Sequence, residues 1–164
     1  MAQIVPLGVF KNGFDLVGDA GQPVGGFRGS VWRESGEIVT GGQRYEFRRD
    51  GGRRFRLAGP QGGVALARRT GRWSGGWEIT AGPATYLLAR AGWFSRGYRL
   101  VLDGAVVGQI ASGRWLSRAG AANLPVGMAP VAQVFVVAIV LTLWRRDDSA
   151  GGGAAAGGAM YAGS

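Results

Sequence analysis

The sequence predicts a mainly β fold, an antiparallel barrel with one wholly apolar segment near its C-terminus. Three observations lead there. Short runs of alternating apolar and polar residues recur between Phe27 and Ile110, with the period of a half-buried strand. Two of these runs look like copies of one unit, and repeated, evenly spaced short strands are what a closed barrel or sandwich needs. Residues 126–144 then carry no charge and are apolar on every side of a helix, which fits a buried centre or a membrane span and not a surface helix.

Residues 1–26 hold short apolar stretches broken by Gly8, Gly13, Gly18 and Gly21, which predicts one or two strands joined by turns. Alternation is clearest in Tyr45-Glu46-Phe47-Arg48 and Arg54-Phe55-Arg56-Leu57. With Asp50-Gly51-Gly52 as the hairpin loop, Phe47 opposes Phe55, Tyr45 opposes Leu57, and Glu46 meets Arg56 on the outer face. A second hairpin sets Tyr98, Leu100 and Leu102 against Val106, Gly108 and Ile110, with Asp103-Gly104-Ala105 as the loop and Tyr98 facing Ile110. Gly108 either admits a close neighbour or marks a bulge.

The repeat matches Tyr45-Glu46-Phe47 to Tyr86-Leu87-Leu88, Phe55-Arg56-Leu57 to Tyr98-Arg99-Leu100, and Thr70-Gly71-Arg72-Trp73 to Ser112-Gly113-Arg114-Trp115. Two copies are too few for a propeller or solenoid.

In the apolar segment, Pro130 suits the first helical position, and Arg145 and Arg146 suit a last turn that opposes the helix dipole. A helix over 130–146 is roughly 25 Å long, short for a span and about the height of a small barrel. Two readings fit: a tail-anchored membrane helix with Trp144 as interfacial anchor, or a helix packed into a lumen, where Gln133 and the many β-branched residues are easier to accommodate. A single domain is expected over 1–148, followed by a disordered Gly/Ala-rich tail over 149–164.

Composition excludes much chemistry. There is no cysteine and no histidine, which removes thiolate and His-dependent triads and the usual zinc and haem ligands. The ten Asp and Glu residues are scattered and form no metal loop or P-loop. No enzymatic activity, no cofactor and no metal are expected. The formal charge of +9 comes from 19 basic residues, all arginine except Lys11. That balance suits anionic partners, and a GC-rich coding sequence produces it equally well. Residues 1–10 have neither a basic start nor a long apolar run, so cytoplasmic localisation is expected.

The order Tyr/Phe-Arg-Leu strand, Gly-x-Val, Val-Gly-x-Ile (Val107 to Ile110), Asn123-Leu124-Pro125, then an apolar helix closing in Leu143-Trp144-Arg145-Arg146 resembles the tubby C-terminal-like fold of the LURP-one-related proteins and phospholipid scramblases. The resemblance covers residues 27–146. It implies a closed antiparallel β-barrel of about twelve strands around a central hydrophobic C-terminal helix, and association with phospholipid. The chain lacks the scramblases' cysteine cluster, proline-rich arm and acidic calcium loop, so the resemblance does not extend to calcium-dependent scrambling.

Arg48, Arg49, Arg53, Arg54 and Arg56 cluster around the first hairpin tip, and guanidinium groups match phosphate oxygens. They are the candidate anionic-lipid patch; arginines that protect an edge hairpin from aggregation are the bland alternative. Trp73, Trp77 and Trp93 are candidate bilayer-interface residues, or plugs at the barrel ends. The expected function is that of a non-catalytic barrel binding anionic phospholipid headgroups, peripherally at the inner face of a membrane. The alternatives are a β-domain displayed by a span over 126–144, and a basic nucleic-acid-binding module. The latter lacks a recognition helix or stacking motif.

Overall fold

Strand pairing follows the chain order. The computed structural model describes residues 1–7, 13–30, 33–71, 75–92, 96–112 and 120–152. These form twelve strands and one helix: β1 (Ala2–Pro6), β2 (Gly13–Val17), β3 (Pro23–Ser30), β4 (Ser35–Thr40), β5 (Gln43–Arg49), β6 (Arg54–Gly59), β7 (Gly62–Thr70), β8 (Gly76–Ala81), β9 (Ala84–Arg90), β10 (Tyr98–Leu102), β11 (Ala105–Ser112), β12 (Gly120–Asn123) and α1 (Pro130–Gly152). Each strand pairs antiparallel with its sequence neighbours, and β1 pairs with β12, so the sheet closes into a barrel without an edge. One face of each strand turns inward. Phe14, Leu16, Phe27, Ile38, Phe47, Phe55, Leu57, Ile79, Leu88, Tyr98, Leu100 and Ile110 are buried.

The barrel encloses α1. Residues 134–140 are each at most 3 % exposed, and seven consecutive helical residues cover almost two full turns. No side of the helix faces water there, so the hydrophobic effect acts around its whole circumference. Phe135 packs edge-on against Phe47 with ring centroids 5.8 Å apart. Pro130 takes the first helical position, where the missing N–H costs nothing, and the Ala132 and Gln133 amides donate to the Ala129 carbonyl. The polar atoms the sequence places in the lumen are satisfied: Gln133 Nε2 donates to the Met128 carbonyl at 2.9 Å, and Thr142 Oγ1 to the Ala138 carbonyl at 2.9 Å. Among the described residues no helix is long and apolar enough to cross a membrane.

The helix does not stop at Arg146. It continues to Gly152, so Arg145 and Arg146 are not in its last turn, and residues 149–152 belong to the helix and not to a tail. Arg146 donates instead to the Glu34 carboxylate at the barrel rim. Residues 153–164 lie outside the described residues.

The first hairpin is shifted by two residues from the expected register. Phe47 opposes Leu57, Arg49 opposes Phe55, and Arg48 opposes Arg56, while Glu46 opposes Ala58. The Asp50 amide donates to the Arg54 carbonyl at 3.0 Å, which leaves Gly51-Gly52-Arg53 as the loop, with Gly51 at φ +67°. Because side chains alternate with period two, a slip of two residues leaves the inward set unchanged. In the second hairpin Tyr98 does face Ile110, but the loop is the two-residue Asp103-Gly104, because Ala105 pairs with Leu102. Both loop residues have positive φ, +50° and +79°, as a type I′ turn requires. A bulge at Val107 makes up the difference. At Gly108 a Cβ would lie 2.8 Å from the Asn123 carbonyl oxygen of β12, so the glycine both adjoins a bulge and admits a close strand.

The repeat has a third copy. Ile4 opposes Leu16 and Pro6 opposes Phe14 in β1–β2; Phe47 opposes Leu57 and Arg49 opposes Phe55 in β5–β6; Leu88 opposes Leu100 and Arg90 opposes Tyr98 in β9–β10. Each unit also has a register shift just after Leu16, Leu57 or Leu100. The shift leaves a valine without a ladder partner in each case: Val24, Val64 and Val107. Three four-strand units thus bend at equivalent points, which gives the local curvature that closure needs.

Candidate anion-binding site

Closure puts every second residue of β5, β6 and β7 on the outer wall. There Arg48 of β5 stands directly opposite Arg56 of β6, and Arg54 of β6 opposite Arg68 of β7. Arg48, Arg53, Arg54, Arg56 and Arg68 are all exposed. Two of these cations are partly neutralised: Arg48 reaches Glu46 at 3.2 Å, and Arg68 reaches Glu78 at 3.1 Å. Arg53 donates to the Gly71 carbonyl at 3.3 Å. Arg54 and Arg56 form no ion pair among the described residues. Arg56 also opposes Leu66, which is 40 % exposed, so an apolar side chain borders the arginines.

Arg49 does not belong to this wall. Its Nε and Nη2 donate to the carbonyls of Gly51 and Gly52 at 2.8 and 2.7 Å, and its Nη1 pairs with Glu34. It closes the hairpin loop and is only partly exposed. Arg68 is the member that sequence proximity hides, since it lies beyond the turn at Pro60-Gln61. Continuing the alternation Leu66, Arg68 along β7 was the available signal.

Trp77 is not an interface residue. It is 2 % exposed and packs against Phe55 with ring centroids 5.0 Å apart, because the inward positions of β8 are Trp77 and Ile79 while Glu78 faces out. Trp73 and Trp93 lie outside the described residues.

A second group of ionisable residues sits at the rim where α1 emerges. Glu34, at φ +51°, holds both Arg49 and Arg146. Asp147 pairs with Arg90, and Asp148 with Arg96. Tyr98, 3 % exposed, has its phenol pKa raised above the usual tyrosine value by burial, against a downward pull from the Arg90 guanidinium and with Asp147 adding to the rise. Among the described residues no group of three or more carboxylates could hold a metal ion. An open depression of about 510 Å³ beside the wall is lined by Glu37, Arg44, Tyr45, Glu46, Ala58, Gly59 and Pro60.

Compared with family models, curated proteins and solved structures, the chain matches none.

Proposed function

We propose that this chain is a non-catalytic, tubby-like barrel that binds anionic phospholipid at a membrane surface, through the outer wall of β5, β6 and β7. The observation that carries the reading is the pair of cross-strand arginine oppositions, Arg48 with Arg56 and Arg54 with Arg68. Like charges directly opposite one another destabilise a sheet. A wall that keeps two such oppositions on adjacent ladders is better suited to an anion laid across it than to water alone. Edge protection does not account for them, because β5 and β6 each have a partner on both sides and a closed barrel has no edge to defend.

The family reading is supported by architecture: a closed antiparallel barrel with a C-terminal helix enclosed in it. A tail-anchored display would require that helix to leave the lumen and expose residues 134–140. Peripheral attachment at the inner face of a membrane follows from the lipid reading.

The test is co-sedimentation with vesicles of phosphatidylcholine alone and of phosphatidylcholine with phosphatidylserine. Basic residues near an anionic surface contribute about 1 kcal/mol each, so Arg54→Gln with Arg56→Gln is expected to weaken binding to anionic vesicles by roughly tenfold or more. Equal binding of the wild-type protein to both vesicle types removes the proposal. Salt-sensitive retention on DNA that exceeds vesicle binding favours the nucleic-acid alternative.

A further inference from the structure

We infer that Arg90 and Arg96 form a second anion site, separate from the β5–β7 wall, which the chain itself occupies with Asp147 and Asp148 and which takes a phosphate-monoester dianion when those carboxylates leave. The inference does not rest on the wall reading.

Three observations carry it. The Arg90 guanidinium and the Arg96 main chain are held by contacts that do not involve the carboxylates. The Arg90 guanidinium sits 5.9 Å from the centroid of the Tyr98 ring, and Arg90 opposes Tyr98 in the β9–β10 ladder. The carbonyl of Arg96 accepts the indole N–H of Trp144, which is buried. The Arg90 cation and the Arg96 main chain therefore stay in place whether or not Asp147 and Asp148 are bound, and a partly preformed site loses less on binding.

The carboxylates, by contrast, are weakly held. The side chains of the Arg90–Asp147 pair are 44 % and 45 % exposed, and those of the Arg96–Asp148 pair 50 % and 53 %. Ion pairs this exposed are weak and screened by salt.

The helix is also divided at this point. Up to Arg146 it is anchored, by the enclosed residues 134–140 and by Glu34, whose side chain is only 14 % exposed. Beyond Arg146 it continues as Asp147, Asp148, Ser149, Ala150, Gly151 and Gly152. Residues 147–150 are exposed, and the two glycines have poor helix propensity. Those residues can swing away without disturbing the core.

Two guanidinium groups that accommodate two carboxylates present several N–H donors and two positive charges, which matches a phosphate monoester carrying about −1.5 to −2 near neutral pH. The tether keeps the competing carboxylates at high effective concentration, so monovalent anions exchange poorly and a divalent one does better. The acidic helix end thus acts as an internal occupant that sets the threshold for external phosphate.

The test uses the full chain with Arg54→Gln and Arg56→Gln, so that the wall does not contribute, with and without Asp147→Asn plus Asp148→Asn. Inorganic phosphate is titrated by calorimetry or by the Arg side-chain Nε–H resonances, and phosphatidic acid vesicles form a parallel arm. Removing the two internal charges is expected to tighten phosphate binding by about tenfold, the usual scale of a coupling between competing ligands. Adding Arg96→Gln should abolish the gain, with the thermal midpoint unchanged to show that the barrel is intact. A gain with phosphate alone assigns a soluble phosphate monoester, and a gain in both arms assigns a lipid headgroup; either supports the site. Unchanged affinity in both arms after the Asp→Asn substitutions overturns it, whatever the wall itself is found to bind.

Discussion

Glu34 and Arg146, 112 positions apart in the chain, meet where the helix leaves the barrel, with Arg146 Nε donating to Glu34 Oε1 at 2.7 Å. The same carboxylate receives Arg49 of β5, so one largely buried anion joins the β3–β4 turn, β5 and α1. Replacing Glu34 with Gln leaves two partly buried guanidinium groups without their counter-charge. The expected cost is about 1.5–3 kcal/mol, the scale of hydrogen bonds to charged groups, read as a lower urea midpoint with an unchanged slope.

Gly25 and Val134 set how closely the helix approaches β3. A Cβ at position 25 would lie 3.0 Å from Val134 Cγ2 and 3.0 Å from the Val39 carbonyl oxygen. Gly25→Ala should therefore destabilise by about 1–3 kcal/mol, as overpacking does. In a double-mutant cycle Val134→Ala should cost less in the Gly25→Ala background than alone, because the two changes relieve one contact. Strict additivity would mean that the helix does not lie against β3.

Alkaline pH should weaken the fold through Tyr98. Burial raises its folded-state pKa above the unfolded value of about 10. The unfolded chain therefore loses its phenolic proton first, and stability is fully present below about pH 10 and falls as pH rises toward the folded value. Tyr98→Phe should flatten that limb of a plot of thermal midpoint against pH. An unaltered limb would place the titrating group elsewhere.

The wall arginines should oppose stability while supporting binding. Arg56 stands opposite Arg48, so Arg56→Thr removes a like-charge opposition and adds a β-branched residue. At low salt the variant should be more stable by about 0.2–1 kcal/mol, and the gain should shrink as salt screens the wild-type repulsion. Denaturant melts at two ionic strengths check this. Equal stabilities at both would remove the electrostatic premise of the wall.

Much of the architecture is legible in residue order because burial repeats with fixed periods. Phe47, Phe55 and Leu57 can be assigned to the interior by alternation alone, and residues 134–140 to a fully covered helix by the absence of a polar side. The pairing register is not legible in the same way. A slip of two residues keeps Phe47 and Leu57 facing inward, so hydrophobicity does not distinguish Phe47 opposite Phe55 from Phe47 opposite Leu57. The Asp50 amide bond to the Arg54 carbonyl and the Arg49 contacts with the Gly51 and Gly52 carbonyls do. The third repeat hides for a chemical reason: Phe14-Asp15-Leu16 carries an acid where Phe55-Arg56-Leu57 and Tyr98-Arg99-Leu100 carry arginine, although all three make the same cross-strand pairs. The candidate site was half visible. Arg54 and Arg56 are close in sequence, but Arg68 reaches them only through the β6–β7 ladder, and Arg49 is withdrawn by Glu34, a contact no local pattern encodes.

Leu66 and Val5 offer the most direct measurement of the lipid-binding wall. They are similarly exposed, at 40 % and 42 %, and stand on β7 and β1, six strands apart around the closed barrel. With phosphatidylserine-containing vesicles that carry a spin-labelled lipid, the Leu66 methyl resonances should broaden and those of Val5 should not. Broadening of Val5 alone, or of both to the same extent, would contradict a membrane-facing surface on β5–β7.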